Sequence, residues 1–135
     1  MTSSTDNRLD NNSEKLAGEA VKLLLEKLGQ DVKLYDVRNT DAITDFYVVA
    51  TGKSLSHVSS LADDLCEKTA LIGRHAFSVE GERGNSWILV DYLDVIVHIF
   101  DKQSRDFYNF DRLMPSESLV DIEEYAKEVD KKFEH

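Results

Sequence analysis

The stretch Trp87-Ile88-Leu89-Val90-Asp91-Tyr92-Leu93-Asp94-Val95-Ile96-Val97-His98-Ile99-Phe100 decides how this chain folds. Valine, isoleucine and aromatic residues dominate it, the types that suit a pleated, half-buried surface. Its polar break, Asp91 to Asp94, has the length of a tight hairpin turn. Two apolar strands folded back on each other are therefore expected. The strand before the turn opens with Trp87, just after the polar run Glu82-Arg83-Gly84-Asn85-Ser86. A large amphipathic ring in that place either pins a loop or faces a partner.

Upstream of the hairpin, Asp45-Phe46-Tyr47-Val48-Val49-Ala50 is nearly unbroken apolar sequence, as expected of a central strand covered on both faces. Val32 to Val37 predicts another strand, and His75 to Val79 a short one. Two amphipathic helices sit among them. In the first, Leu16, Ala20, Val21, Leu24 and Leu28 recur at helical spacing, with Ser13 as the expected cap and Gly29 as the stop. In the second, Ser54 caps a stripe of Leu55, Val58, Leu61, Ala62, Leu65, Thr69 and Ile72 that ends at Gly73. After Phe100, a turn over Asp101 to Arg105 and a short helix through Phe107 to Met114 are expected, ended by Pro115. The reading is a single mixed α/β domain, residues 13–115, with five strands flanked by helices. A disordered tail is expected over residues 1–12 and an amphipathic helix over 116–135.

Composition narrows the function classes. A chain of 135 residues can bury a core without disulfides or metal. Its formal net charge of −10, with a pI near 4.7, speaks against direct binding to a nucleic-acid backbone, which requires Lys and Arg to displace counterions. The same charge is compatible with docking on a basic protein. A lone Cys66 allows neither an internal disulfide nor a multi-cysteine zinc site. No run approaches the roughly 18 apolar residues of a membrane span, and no secretory or transit pattern opens the chain. A cytoplasmic location is expected.

Enzymatic motifs fail one by one. Gly52-Lys53-Ser54 follows a strand and opens a helix, the setting of a phosphate-binding loop, but Tyr47 stands where that loop needs its first glycine. Nucleotidyl transfer needs clustered carboxylates to hold metal ions. Asp91 and Asp94 flank a turn and Asp63-Asp64 lie on a helix, so nothing pairs them. His57, His75 and His98 have no partners at metal-ligand spacing, and His98, beside Ile96 and Phe100, is expected to be a hydrogen-bonded core histidine. Neither a catalytic group, a cofactor nor a metal is expected, and a binding protein is the better reading. A nucleotidyltransferase or nucleoside triphosphatase is the alternative.

The ordered set of motifs resembles the ribosomal silencing factor (Iojap) family. Ile43 to Val58 resembles its first signature. Glu80-Gly81-Glu82, Trp87 to Asp91 and Asp94 to Phe100 resemble its second, and Arg105-Asp106-Phe107-Tyr108 with Leu113 its closing motif. The resemblance implies a nucleotidyltransferase-like α/β fold without the active site. It implies a translation repressor that binds the large ribosomal subunit at its protein numbered fourteen, blocks joining of the small subunit and forms homodimers in isolation. It also implies a partner-binding surface containing Trp87, Ile88 and Asp91. An assembly factor using the same ribosomal site is the alternative within the family. Two positions depart from the family pattern: Leu93 stands where glycine is usual, and Met114 where tryptophan is usual.

Overall fold

The computed structural model describes the backbone of residues 2–81 and 84–132, and the side chains of residues 12–81 and 84–132. The strands β1 (Gln30–Asp36), β2 (Phe46–Gly52), β3 (Ser78–Gly81), β4 (Trp87–Asp91), β5 (Val95–Asp101) and β6 (Leu119–Val120) form one sheet in the order β3-β4-β5-β2-β1-β6. The opening stretch is the β4–β5 hairpin, antiparallel with Trp87 opposite Phe100. Strand β2 lies parallel to β5 and antiparallel to β1, and all but Tyr47 of its residues are buried. The sixth strand was absent from the expectation. It is two residues long and pairs Leu119 and Val120 with the outer edge of β1.

Helices α1 (Thr2–Glu26) and α2 (Leu55–Leu71) pack on one face of the sheet. The apolar stripes read from the sequence bury there: Leu16, Ala20, Val21 and Leu24 from α1, and Val58, Leu61 and Leu65 from α2, against Val48, Ala50, Val97 and Ile99. Ser54 caps α2, its Oγ accepting from the His57 amide at 3.1 Å. Ser13 does not cap α1: it lies buried inside that helix. The stretch 1–12, expected as a disordered tail, is instead helical from Thr2 and forms the first turns of α1, with Met1 outside the described backbone.

The end of α1 also differs in detail. Leu28, not Gly29, takes the left-handed conformation (φ 66°), and the Gly29 amide closes back on the Leu24 carbonyl at 2.7 Å. A Cβ at Gly29 would sit 2.8 Å from that carbonyl, so the glycine is needed for close approach rather than for its φ.

Past β5 the expected turn is a helix, α3 (Lys102–Tyr108). Asp101 caps it by accepting from the Ser104 amide at 2.8 Å, and Asn109 ends it in a left-handed conformation. A 3₁₀ turn, Phe110–Leu113, follows. The stretch 116–135, expected as one helix, divides into a 3₁₀ turn, β6 and α4 (Glu123–Lys132). Leu119 and Val120 suit a strand and meet an open sheet edge, which local periodicity cannot reveal. Helix α4 lies on α1, where Tyr125 fills the space left by Gly18, Val129 is buried, and Lys22–Glu128 (3.0 Å) and Lys132–Glu26 (2.7 Å) pair across.

The β4–β5 turn carries local strain. Leu93 has φ 78°, a region that costs a side chain roughly 1–2 kcal/mol, and it is 58% exposed, so burial does not offset this cost. Replacing Leu93 by glycine is expected to raise stability by about 1 kcal/mol, read as a higher urea midpoint with an unchanged slope. A lower midpoint refutes the assignment of strain.

Candidate functional site: the aromatic face of the sheet

Side chains alternate along β4, so its residues divide between two faces. Ile88 and Val90 point into the helix-covered core; Trp87, Leu89 and Asp91 point the other way. Ile88 is 6% exposed and packs with the core residues. Its expected place on a docking surface beside Trp87 is therefore corrected. Two adjacent strand residues cannot share a face, and the partner of Trp87 on its own side is Leu89.

The face bearing Trp87 is aromatic. Across the hairpin, Leu89 is opposite His98 and Trp87 opposite Phe100. The indole stacks on Phe100 (centroids 5.0 Å) and touches Tyr108 of α3 (4.6 Å). His98 lies 4.4 Å from the Phe110 ring, which in turn meets Tyr47 edge-on at 5.3 Å. Such offset and edge contacts each add about 0.5–1.5 kcal/mol beyond burial. Trp87 stays half-buried at the margin of this cluster, and together with Glu80, Gly81 and Leu89 it lines an open groove of about 230 Å³.

A hydrogen bond fixes the indole. Trp87 Nε1–H donates to His98 Nδ1 at 3.1 Å, which requires the neutral imidazole with its proton on Nε2. His98 is 5% exposed, and burial lowers its pKa from 6.5 to about 4. The unfolded chain therefore binds a proton that the folded chain excludes between these values. The stability this contributes is complete above pH 6.5 and is lost as pH falls through 4. It amounts to about 3 kcal/mol. In urea titrations, the stability difference between the parent and His98→Gln should change by that order from pH 7 to 4, with the parent losing more. A pH-independent difference contradicts this account.

Arg105, 5% exposed, secures the roof over this face. Its Nη1 donates to Thr51 Oγ1 at 2.8 Å, and its Nε and Nη2 grip Asp111 at 2.8 and 3.2 Å. Asp31 approaches Nη2 at 3.3 Å, and the Tyr35 hydroxyl donates to Asp111 at 2.6 Å. Burial opposes the Asp111 charge, but the bonds from Arg105 and Tyr35 prevail and hold its carboxyl below the usual range. Burial, and then the Asp111 bond, push the Tyr35 phenol up. The cluster ties α3 and the 3₁₀ turn to β1 and β2, and so places Tyr108 and Phe110 against Trp87 and His98. Sequence reading did not single out Arg105 for this role. Arg105 stood there only as the end of an expected turn and as part of the closing motif.

The phosphate-loop resemblance at Gly52-Lys53-Ser54 has a geometric answer. The Lys53 amide donates to His57 Nδ1 at 2.8 Å, and His57 Nε2 bonds the Lys27 carbonyl at 2.9 Å. A Cβ at Gly52 would lie 2.9 Å from the Val58 amide nitrogen, so the helix backbone closes directly on the strand end. The imidazole thus takes up the Lys53 amide, a backbone donor that a phosphate-binding loop would offer to its ligand. Asp91 and Asp94 are likewise engaged, by the Leu93 amide (2.7 Å) and Arg74 (2.6 Å). Among the described residues, no group of three or more His, Cys, Asp or Glu side chains is placed to hold a metal ion.

The profile of the family described as "Ribosomal silencing factor during starvation" matches residues 10–135. The chain belongs to the ribosomal silencing factor family. The Haemophilus influenzae member, named ribosomal silencing factor, is 36% identical over 97 residues, covering 69% of this chain and 95% of that protein. The Bacillus subtilis member is 28% identical over 98 residues, covering 73% and 83%. The mitochondrial Iojap-related protein of Arabidopsis thaliana is 30% identical over 105 residues, covering 74% of this chain and 56% of that protein. A crystal structure of a Chromobacterium violaceum protein superimposes with a TM-score of 0.71 at 29% identity, covering 75% and 84%. One from Bacillus halodurans gives 0.69 at 28% identity, covering 80% and 98%. The family is regulatory and acts on translation, so this member is a translation regulator and not an enzyme.

Proposed function

We propose that the aromatic face around Trp87 docks on the large ribosomal subunit, at its protein numbered fourteen, and sterically prevents association with the small subunit. The observation that carries this reading is the placement of Trp87. It stands half-buried at the rim of a 230 Å³ groove, oriented by His98, with Leu89 and Asp91 beside it on an otherwise roofed sheet face. A rigid indole in such a groove has the character of an interface hot spot. The names of the relatives support the ribosome as target. Glu80 and Asp91 complement a basic ribosomal protein, and the net charge of −10 steers encounter with it.

Docking residues are thus Trp87, Leu89 and Asp91, with Ile88 supporting them from the core. A cytoplasmic location is part of the same proposal. A homodimer formed through the same face would compete with ribosome binding.

Sedimentation of purified large and small subunits with and without this protein, at physiological magnesium, tests the proposal. The protein should travel with the large subunit and diminish the joined-ribosome peak. Subunits that join normally while the protein stays at the top of the gradient overturn it.

A further inference from the structure

Three loops meet at the end of the sheet where β2 and β5 begin and β4 ends. The Phe77 amide donates to the Asp91 carbonyl at 2.7 Å, the Leu93 amide to Asp91 Oδ1 at 2.7 Å, and the Asp45 amide to the Asp94 carbonyl at 3.1 Å. These bonds bring three loops together at one end of the sheet, and each loop carries an apolar side chain open to solvent: Ile43 (86% exposed), Phe77 (71%) and Leu93 (58%). None contributes to a core cluster.

Leu93 is the informative member. Its φ of 78° favours glycine, and with 58% of its surface exposed its burial returns little to folding. A side chain kept where it strains the fold and left more than half exposed points to use outside the fold.

Charge selects the occupant. Asp41 and Asp45 flank Ile43, and Asp91 and Asp94 flank Leu93. The arginines at this end are engaged within the chain: Arg74 with Asp94 (2.6 Å), and Arg38 with Asp36 (2.7 Å) and Glu14 (3.4 Å). Two copies of this surface would bring like charges together in a chain already at −10, which disfavours self-association. A basic segment would meet both the apolar centre and the carboxylates of Asp41, Asp45 and Asp91, with Asp94 paired to Arg74.

We propose that this end is a second docking surface, which seats an apolar side chain of a basic protein segment on the large ribosomal subunit among Ile43, Phe77 and Leu93. It rests on the ribosomal reading above and extends the contact beyond the Trp87 face to a separate anchor.

The test compares the affinities of the parent, Trp87→Ala, Leu93→Gly and Phe77→Ser for purified large subunits at low and moderate salt, with sedimentation equilibrium of each free protein. Leu93→Gly is the decisive variant, because it should be more stable than the parent, so weaker binding cannot be ascribed to unfolding. Leu93→Gly and Phe77→Ser should each bind about tenfold more weakly, and Asp45→Asn should reduce the salt dependence. If Trp87→Ala loses binding while Leu93→Gly and Phe77→Ser bind like the parent, the second surface is refuted and the Trp87 reading stands. If these two variants lose binding while Trp87→Ala does not, the second surface stands and the Trp87 reading falls. A parent that does not bind large subunits refutes both. A self-association in the parent that Phe77→Ser abolishes also overturns the proposal, since the patch would then be an interface between copies.

Discussion

Trp87→Ala should weaken binding to the large ribosomal subunit about 30-fold or more, a loss of roughly 2 kcal/mol. The size follows from what the ring provides. The indole is held by Phe100, Tyr108 and the bond to His98 Nδ1, so little freedom remains to be lost on docking. Truncation removes a pre-oriented anchor and opens the groove it shares with Leu89 and Glu80. Because the ring also packs within the chain, the variant must retain the parent's circular dichroism. Leu89→Ser provides a second probe of the same face that leaves the aromatic stack intact, and it should weaken binding in the same direction. Unchanged affinity in both well-folded variants removes the Trp87 face from the interface.

Arg105→Ala should destabilise the fold by about 3–5 kcal/mol, the range for breaking a buried ion pair by removing one partner. The substitution strips Asp111 of its two guanidinium bonds, leaves the Thr51 hydroxyl without its partner and vacates a buried volume. Urea unfolding at neutral pH measures the loss. Since α3 and the 3₁₀ turn are held through this group, the loosened roof should also redden Trp87 emission before global unfolding. A loss under 1 kcal/mol would mean that the roof is held chiefly by Phe110 and Met114 packing on the sheet.

Much of the fold was legible because it is local. β-Branched and aromatic content around a short polar break marked β4 and β5, the apolar run of β2 marked its central position, and helical stripes marked α1 and α2. Ser54 and Gly73 were read correctly as the ends of α2, because caps act within a few residues of their helix. Alternation along β4 by itself puts Ile88 and Trp87 on opposite faces. Other features were not local. Strand β6 exists because β1 offers an edge to Leu119 and Val120, far away in sequence. Arg105, an ordinary charged residue in a helical stretch, is buried because Thr51, Asp111 and Asp31 converge on it.

The sequence by itself determined a mixed α/β domain, the main strands and helices, and the family, because those depend on residue periodicity and ordered motifs. Only the tertiary structure decided the working surface. It turned Ile88 inward and Leu89 outward, bonded Trp87 to a neutral His98, closed His57 over the false phosphate loop and gathered Ile43, Phe77 and Leu93 at one end of the sheet. The side taken by Ile88 follows from alternation once the core face of β4 is set, whereas the other features need segments apart in the chain to meet: His57 with the Lys27 carbonyl, His98 with Tyr47 and Phe110, and the loops at Asp45, Phe77 and Asp91.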